Sequence, residues 1–183
     1  MGLFGFGGKK EKTAAAGKND KISFTGGPDA ATAKCILTAG VRGVEMDINL
    51  SGDSANLTHG PVSAKGENAC VTYFDKKGMG QSLRPKKART LGEQNYWMDV
   101  SCQYLDKGEN INEVLSKLDE TLAGQDFIAG QLSLADPVVA GSVLTLKKAG
   151  NCPSGLSNID AWLGRVEQKI PENLRSNYMG QLS

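Results

Sequence analysis

One segment alternates strictly. In VEMDINL (44–50), Val44, Met46, Ile48 and Leu50 fall on one side, and Glu45, Asp47 and Asn49 on the other. That is the period of a half-buried strand. Upstream, KISFTGG (21–27) is a short β-rich run closed by two glycines. Between the two, PDAATAKCILTAG begins with Pro28 and Asp29 and ends at Gly40. These are helix-entry and helix-stop residues. Strand, helix and strand with short connections predict a βαβ unit with parallel pairing. The following stretch, 51–66, is rich in turn residues and has room for at most one short strand. ENACVTYF (67–74) predicts a short helix.

From Pro85 onward the apolar positions take a helical period. Leu91, Trp97, Val100, Tyr104 and Leu105 share one side of a first helix. Asn110 and Glu113 are spaced as a capping box before a stripe of Ile111, Val114, Leu115, Leu118 and Leu122. A further helix is predicted from about Leu134 to Ala149, stopped by Gly150. Ser157 and Asp160 begin another, with Ile159, Trp162, Leu163, Val166 and Ile170 on one face and Pro171 as its end. Residues 172–183 read as a polar tail.

Ser133 and Asp136 interrupt an apolar run, DFIAGQLSLADPVVAG (126–141). Their spacing fits a helix start. The Ser133 hydroxyl is expected to accept from the backbone amide of Asp136, and the Asp136 carboxylate to reach back to the amide of Ser133. A catalytic pair would need polar neighbours in a cleft, and the flanking residues are apolar. Ser133 and Asp136 are therefore expected to be structural capping residues.

Composition narrows the function classes. The chain has 183 residues, of which 39% are hydrophobic and 22% charged, with a net charge of +1. This is the balance of a folded globular chain and not of a strongly basic nucleic-acid protein. No apolar run reaches the length of a membrane span, and no signal peptide is recognisable. Cys35, Cys70, Cys102 and Cys152 are widely spaced, and the single His59 has no Cys or His nearby. No metal site is expected from that spacing, and free thiols in an intracellular compartment, cytoplasm or organelle interior, are. The charge is uneven. Residues 74–90 carry Lys76, Lys77, Arg84, Lys86, Lys87 and Arg89 against Asp75 alone. They form a linker and a candidate patch for a partner with acidic or phosphate groups. No aromatic residues are interleaved with these charges, so nucleic acid is the less favoured partner.

The second half resembles the C-terminal helical domain of glutathione transferases. The residues that carry the resemblance are Phe127-Ile128-Ala129-Gly130, then Ser133-Leu134-Ala135-Asp136, then Asn158-Ile159 with Trp162-Leu163 and Arg165. They follow the family's order and spacing over roughly residues 85–171. In that family the Ser/Thr-x-x-Asp element is a folding motif. The resemblance implies a thioredoxin-like domain at 21–80. The βαβ unit fits this, as do Ala39-Gly40-Val41, Ala69 and Tyr73 in the 67–74 helix, and the Leu83-to-Pro85 linker end. The expected architecture is α+β followed by all-α: a head at 1–20, a shortened thioredoxin-like βαβ domain at 21–80, a helical transferase-like domain at 81–171, and the tail.

The resemblance also implies where glutathione would bind if binding is retained: Thr25 and Gly26 at the end of the first strand, Pro61 as the family's cis-proline, and Glu67 at the start of the 67–74 helix. This sequence departs from the pattern at each point. No Tyr, Ser or Cys lies in Thr25-Gly26-Gly27-Pro28-Asp29, where the family places its thiol-activating residue, and Thr25 is the only hydroxyl there. Glu67 puts a carboxylate where the family binds one. The segment after Pro61 is too short for the family's hairpin, which implies a reduced sheet with an exposed edge. The expectation is a non-catalytic, transferase-like subunit that joins a larger protein assembly. A glutathione-binding or active transferase is the alternative, and a phosphate- or nucleic-acid-binding module through the basic linker is a second.

Overall fold

The computed structural model describes residues 21–182, so the head at 1–20 lies outside the described residues. The chain opens with β1 (Ile22–Thr25), α1 (Ala30–Val41) and β2 (Met46–Asn49), and β1 and β2 pair in parallel. Asp29 caps α1 by accepting from the Thr32 amide at 2.8 Å. Ile22, Phe24 and Met46 are buried in the core, while Ser23 and Asp47 face solvent. The alternation in the sequence is this one-sided burial.

Two strands follow where one was expected. β3 (Asn56–His59) runs antiparallel to β1, and β4 (Val62–Lys65) runs antiparallel to β3, giving the order β2-β1-β3-β4. Their two-residue loop is Gly60-Pro61, and Gly60 takes φ +54, a conformation that glycine adopts without steric cost. Pro61 is therefore inside the hairpin and not ahead of it. The sheet keeps four strands. The short segment is instead the connection from β2 to β3, which crosses the end of β1 within residues 50–55.

After α2 (Glu67–Lys77) and an irregular strap at 78–87 come α3 (Ala88–Val100), which runs into a π-helical turn (Ser101–Leu105), and α4 (Ile111–Leu122), α5 (Ala135–Lys148) and α6 (Ser157–Gln168). α5 is buried almost end to end, and it packs against α1. At that crossing a Cβ on Gly141 would lie 2.6 Å from the backbone nitrogen of Lys34. Only glycine lets the two helices approach this closely.

Three local readings change. Asn110 adopts φ 49 and makes no side-chain cap, so the expected capping box with Glu113 is absent. The start of α6 is capped from another helix: Asp119 of α4 accepts from the amides of Asn158 and Ile159, both at 3.0 Å. Residues 172–182 are not a tail but α7 (Glu172–Leu182), which buries Leu174 and Tyr178. The Tyr178 hydroxyl donates to the carbonyl of Val44 at 2.5 Å, tying α7 to the approach to β2. Gly40 lies within α1 and accepts this packing, because a Cβ there would meet the Tyr178 ring at 2.9 Å.

Candidate functional site

The four positions proposed for glutathione do not converge. Thr25 ends β1, opposite Asn49 and Asn56, with Gly26 following. Glu67 begins α2 just beyond β4, whose Lys65 is level with Asn56, so it belongs to the same end of the sheet. Pro61 sits at the other end, beyond the pairing of Ser23 with Thr58. No cis peptide bond occurs among the described residues, and Pro61 does not match the family's cis-proline.

At the end of β1 the chain satisfies itself. The Gly26 amide donates to the Asn49 carbonyl at 3.0 Å, and the Gly26 carbonyl accepts from the Gly52 amide at 3.1 Å. A Cβ on Gly27 would meet the Gly52 carbonyl at 3.0 Å. The short β2–β3 connection thus lies directly over the entrance to α1. Asp29 adds a carboxylate at the helix end, where an incoming anion would otherwise be attracted. The remaining space there is about 60 Å³, bounded among others by Asp29, Thr32, Leu144 and Leu182.

Glu67 is also committed. Lys34 of α1, with a fully buried side chain, places its Nζ 3.3 Å from Glu67 and in closer contact with Asp106, and 3.7 Å from Cys102 Sγ. Burial alone would push the Lys34 ammonium down, but the bond and charge of Asp106, together with Glu67, hold it above its usual value. Burial raises the Glu67 carboxyl, against the pull of Lys34. Ser142 of α5 donates to Asp106 at 2.6 Å, and the Ser101 and Ser142 hydroxyls are 2.7 Å apart. This polar cluster clamps the sheet half to the helical half. The ligand atoms of Glu67, Cys102 and Asp106 lie within 4.8 Å of one another, a spacing that fits a metal ion. Lys34 already supplies the positive charge at that point. Sequence reasoning missed Lys34, although a lysine among the apolar residues of ATAKCIL was the available signal.

The four cysteines are free. Cys35 and Cys70 are buried, and burial raises the exposed Cys102 thiol, the opposite of what an activated nucleophile requires.

Asp136 uses both carboxylate oxygens. Oδ2 accepts from the Ser133 amide at 2.8 Å and from the Ser133 hydroxyl at 3.1 Å. Oδ1 accepts from the Ile128 amide at 2.9 Å and from Trp162 Nε1 at 3.0 Å. The reach-back bond is present, but the Ser133 hydroxyl donates to the carboxylate instead of accepting from the amide of Asp136. That amide bonds to the Ser133 carbonyl. The pair thus joins the preceding loop, α5 and α6, and no reactive group faces it.

Lys76, Lys77, Arg84, Lys86, Lys87 and Arg89 are all exposed, on the end of α2, the strap and the start of α3. Arg89 pairs with Glu93 of its own helix at 3.1 Å.

Residues 100–169 match the family model of the glutathione S-transferase C-terminal domain. A delta-class glutathione transferase from Nilaparvata lugens superposes with a TM-score of 0.71 at 21% identity, over 87% of this chain and 94% of that one. The chain has a glutathione transferase-like fold. Its fold is a shortened thioredoxin-like domain followed by a helical C-terminal domain. FzlA from C. crescentus is another structural match to this transferase-like protein, with a TM-score of 0.70 at 14% identity over 80% of this chain and 88% of that one. A third is a theta-class glutathione S-transferase from Xanthomonas axonopodis pv. citri with glutathione bound, with a TM-score of 0.66 at 16% identity over 87% and 97%. No curated protein matches the sequence. Among the described residues, no helix is long and apolar enough to cross a membrane.

Proposed function

We propose that this transferase-like protein is non-catalytic and acts as a protein-interaction component of a larger assembly. The observation that carries the reading is the closed end of β1. Both backbone polar groups of Gly26 are bonded within the chain, to Asn49 and Gly52. A thiol ligand placed there would have to displace the β2–β3 connection. Two further features support the reading. No Tyr, Ser or Cys lies in the segment 25–29 at the end of β1, and Glu67 is occupied by Lys34.

The test is a titration of the purified chain with reduced glutathione, followed by calorimetry and thermal unfolding. The expected result is no saturable heat and no change in melting temperature. The glutathione-binding alternative predicts stabilisation of about 2.7 kcal/mol at a ligand concentration of about one hundred times Kd. A saturable shift of that kind would overturn the proposal.

A further inference from the structure

The strap between α2 and α3 has no regular structure across 78–87, yet it is held at several points. Arg42, 6% exposed, donates from Nη1 to the Gln81 carbonyl at 2.8 Å and from Nη2 to the Gly78 carbonyl at 3.0 Å. Asp75, 1% exposed, accepts from the Leu83 amide at 2.7 Å and from the Ser82 hydroxyl at 2.5 Å. Arg42 and Asp75 face each other at 3.5 Å, and the Leu83 carbonyl accepts from the Leu134 amide at 3.2 Å. A buried ion pair and a contact from α5's entry thus fix the strap's backbone.

That backbone carries Arg84, Lys86 and Lys87 into solvent along an open groove of about 650 Å³, closed on its other side by Gln131 and Leu132. Lys76 and Lys77 at the end of α2 are exposed but lie outside its lining, and Arg89 is paired with Glu93. The one acidic residue of the stretch, Asp75, is buried against Arg42 and offers the surface no compensation. α3 begins here without a side-chain cap and without an acidic residue in its first turn, which adds to the positive end. Concentrated like charge on a prefixed backbone costs little ordering when an opposite charge docks.

We infer that this groove docks an extended acidic segment of a partner protein. The inference rests on the interaction-module reading and names the chemistry of its partner. Leu83, Pro85 and Leu132 also line the groove, and apolar side chains of a peptide fill such a floor where a phosphodiester backbone does not. No aromatic ring lines it for a base to stack on.

The test is fluorescence anisotropy of the full chain with a labelled peptide of Glu and Asp broken by single leucines. A poly-thymidine oligonucleotide of equal charge serves as competitor. The wild type is expected to bind the peptide with an affinity that falls as salt rises. R84E/K86E/K87E is expected to weaken it by about tenfold or more, whereas the remote exposed triple K65E/K107E/K117E changes it by less than about threefold. Circular dichroism checks that both triples fold. Absence of peptide binding, or equal loss in both triples, overturns the inference. Tighter binding of the oligonucleotide overturns it in favour of nucleic acid. The glutathione titration stands apart from these outcomes: a chain that binds both glutathione and the peptide refutes the non-catalytic reading and leaves the groove intact.

Discussion

Replacing Asp136 by alanine tests the centre of the helical half. The carboxylate accepts from three buried N–H groups, those of Ile128, Ser133 and Trp162, and from one hydroxyl. Alanine leaves the three N–H groups without acceptors. Each buried orphan costs about 1–3 kcal/mol, for a gross loss of about 3–9 kcal/mol. Part is returned, because alanine no longer buries a carboxylate whose burial raises its pKa above the usual value. A net loss of about 4 kcal/mol is expected, a large fraction of the roughly 5–15 kcal/mol that holds a domain folded. Asp136→Asn keeps one acceptor oxygen and turns an NH₂ group towards other donors, so about half the loss is expected. Urea unfolding followed by tryptophan fluorescence measures both. Solubility and a near-native midpoint for D136A, with a loss below about 1 kcal/mol, would refute the reasoning. The pH dependence has a defined sign. The folded group holds its proton to higher pH than the unfolded one, so the proton-linked part of its contribution is complete below the unfolded value near 3.8 and is lost as pH rises through the folded value, while the acceptor role of the oxygens persists. The wild type minus D136N stability difference should therefore fall with rising pH across that window.

Three further predictions concern other contacts. Gly141→Ala places a Cβ 2.6 Å from the Lys34 nitrogen, backbone that cannot rotate away, and is expected to cost about 2–3 kcal/mol by chemical denaturation. Lys34→Met leaves Glu67 and Asp106 facing each other without a cation. A loss of about 2–3 kcal/mol is expected near neutrality, shrinking in acid as the carboxyls protonate, and thermal melts at two pH values would show it. Tyr178→Phe removes the donor to the Val44 carbonyl and should cost about 1–2 kcal/mol. Burial raises the Tyr178 phenol to about 12, so the wild type keeps this contribution below the unfolded value of 10.0 and loses it as pH rises towards 12. The variant should lack that part of the alkaline loss, and an unchanged alkaline limb would contradict it.

Much of the frame was legible because it is written in local periodicity. The strict alternation of VEMDINL became a strand with one buried face, and the leucine stripe of α4 became Leu115, Leu118 and Leu122 in the core. Ser133 and Asp136 read as a folding device because three-residue spacing is itself a helix-entry geometry. The basic stretch was visible as composition, though not as a strap pinned by Arg42 and Asp75. The hairpin was missed because the turn-rich run around Gly60-Pro61 hides two short strands with little alternation.

By itself, then, the sequence determined the opening strand–helix–strand unit, the helices between 67 and 170 and where most of the charge lies, since those depend on neighbours within a turn or a strand step. The tertiary structure alone decided what closes the end of β1, where Pro61 goes, and which carboxylates Lys34 neutralises. It also decided that 172–182 is a helix anchored by Tyr178. The bond from Tyr178 to Val44 and the clamp from Lys34 to Asp106 join residues far apart along the chain. No periodicity encodes such pairs, because they form only when separate elements pack and exclude water between them.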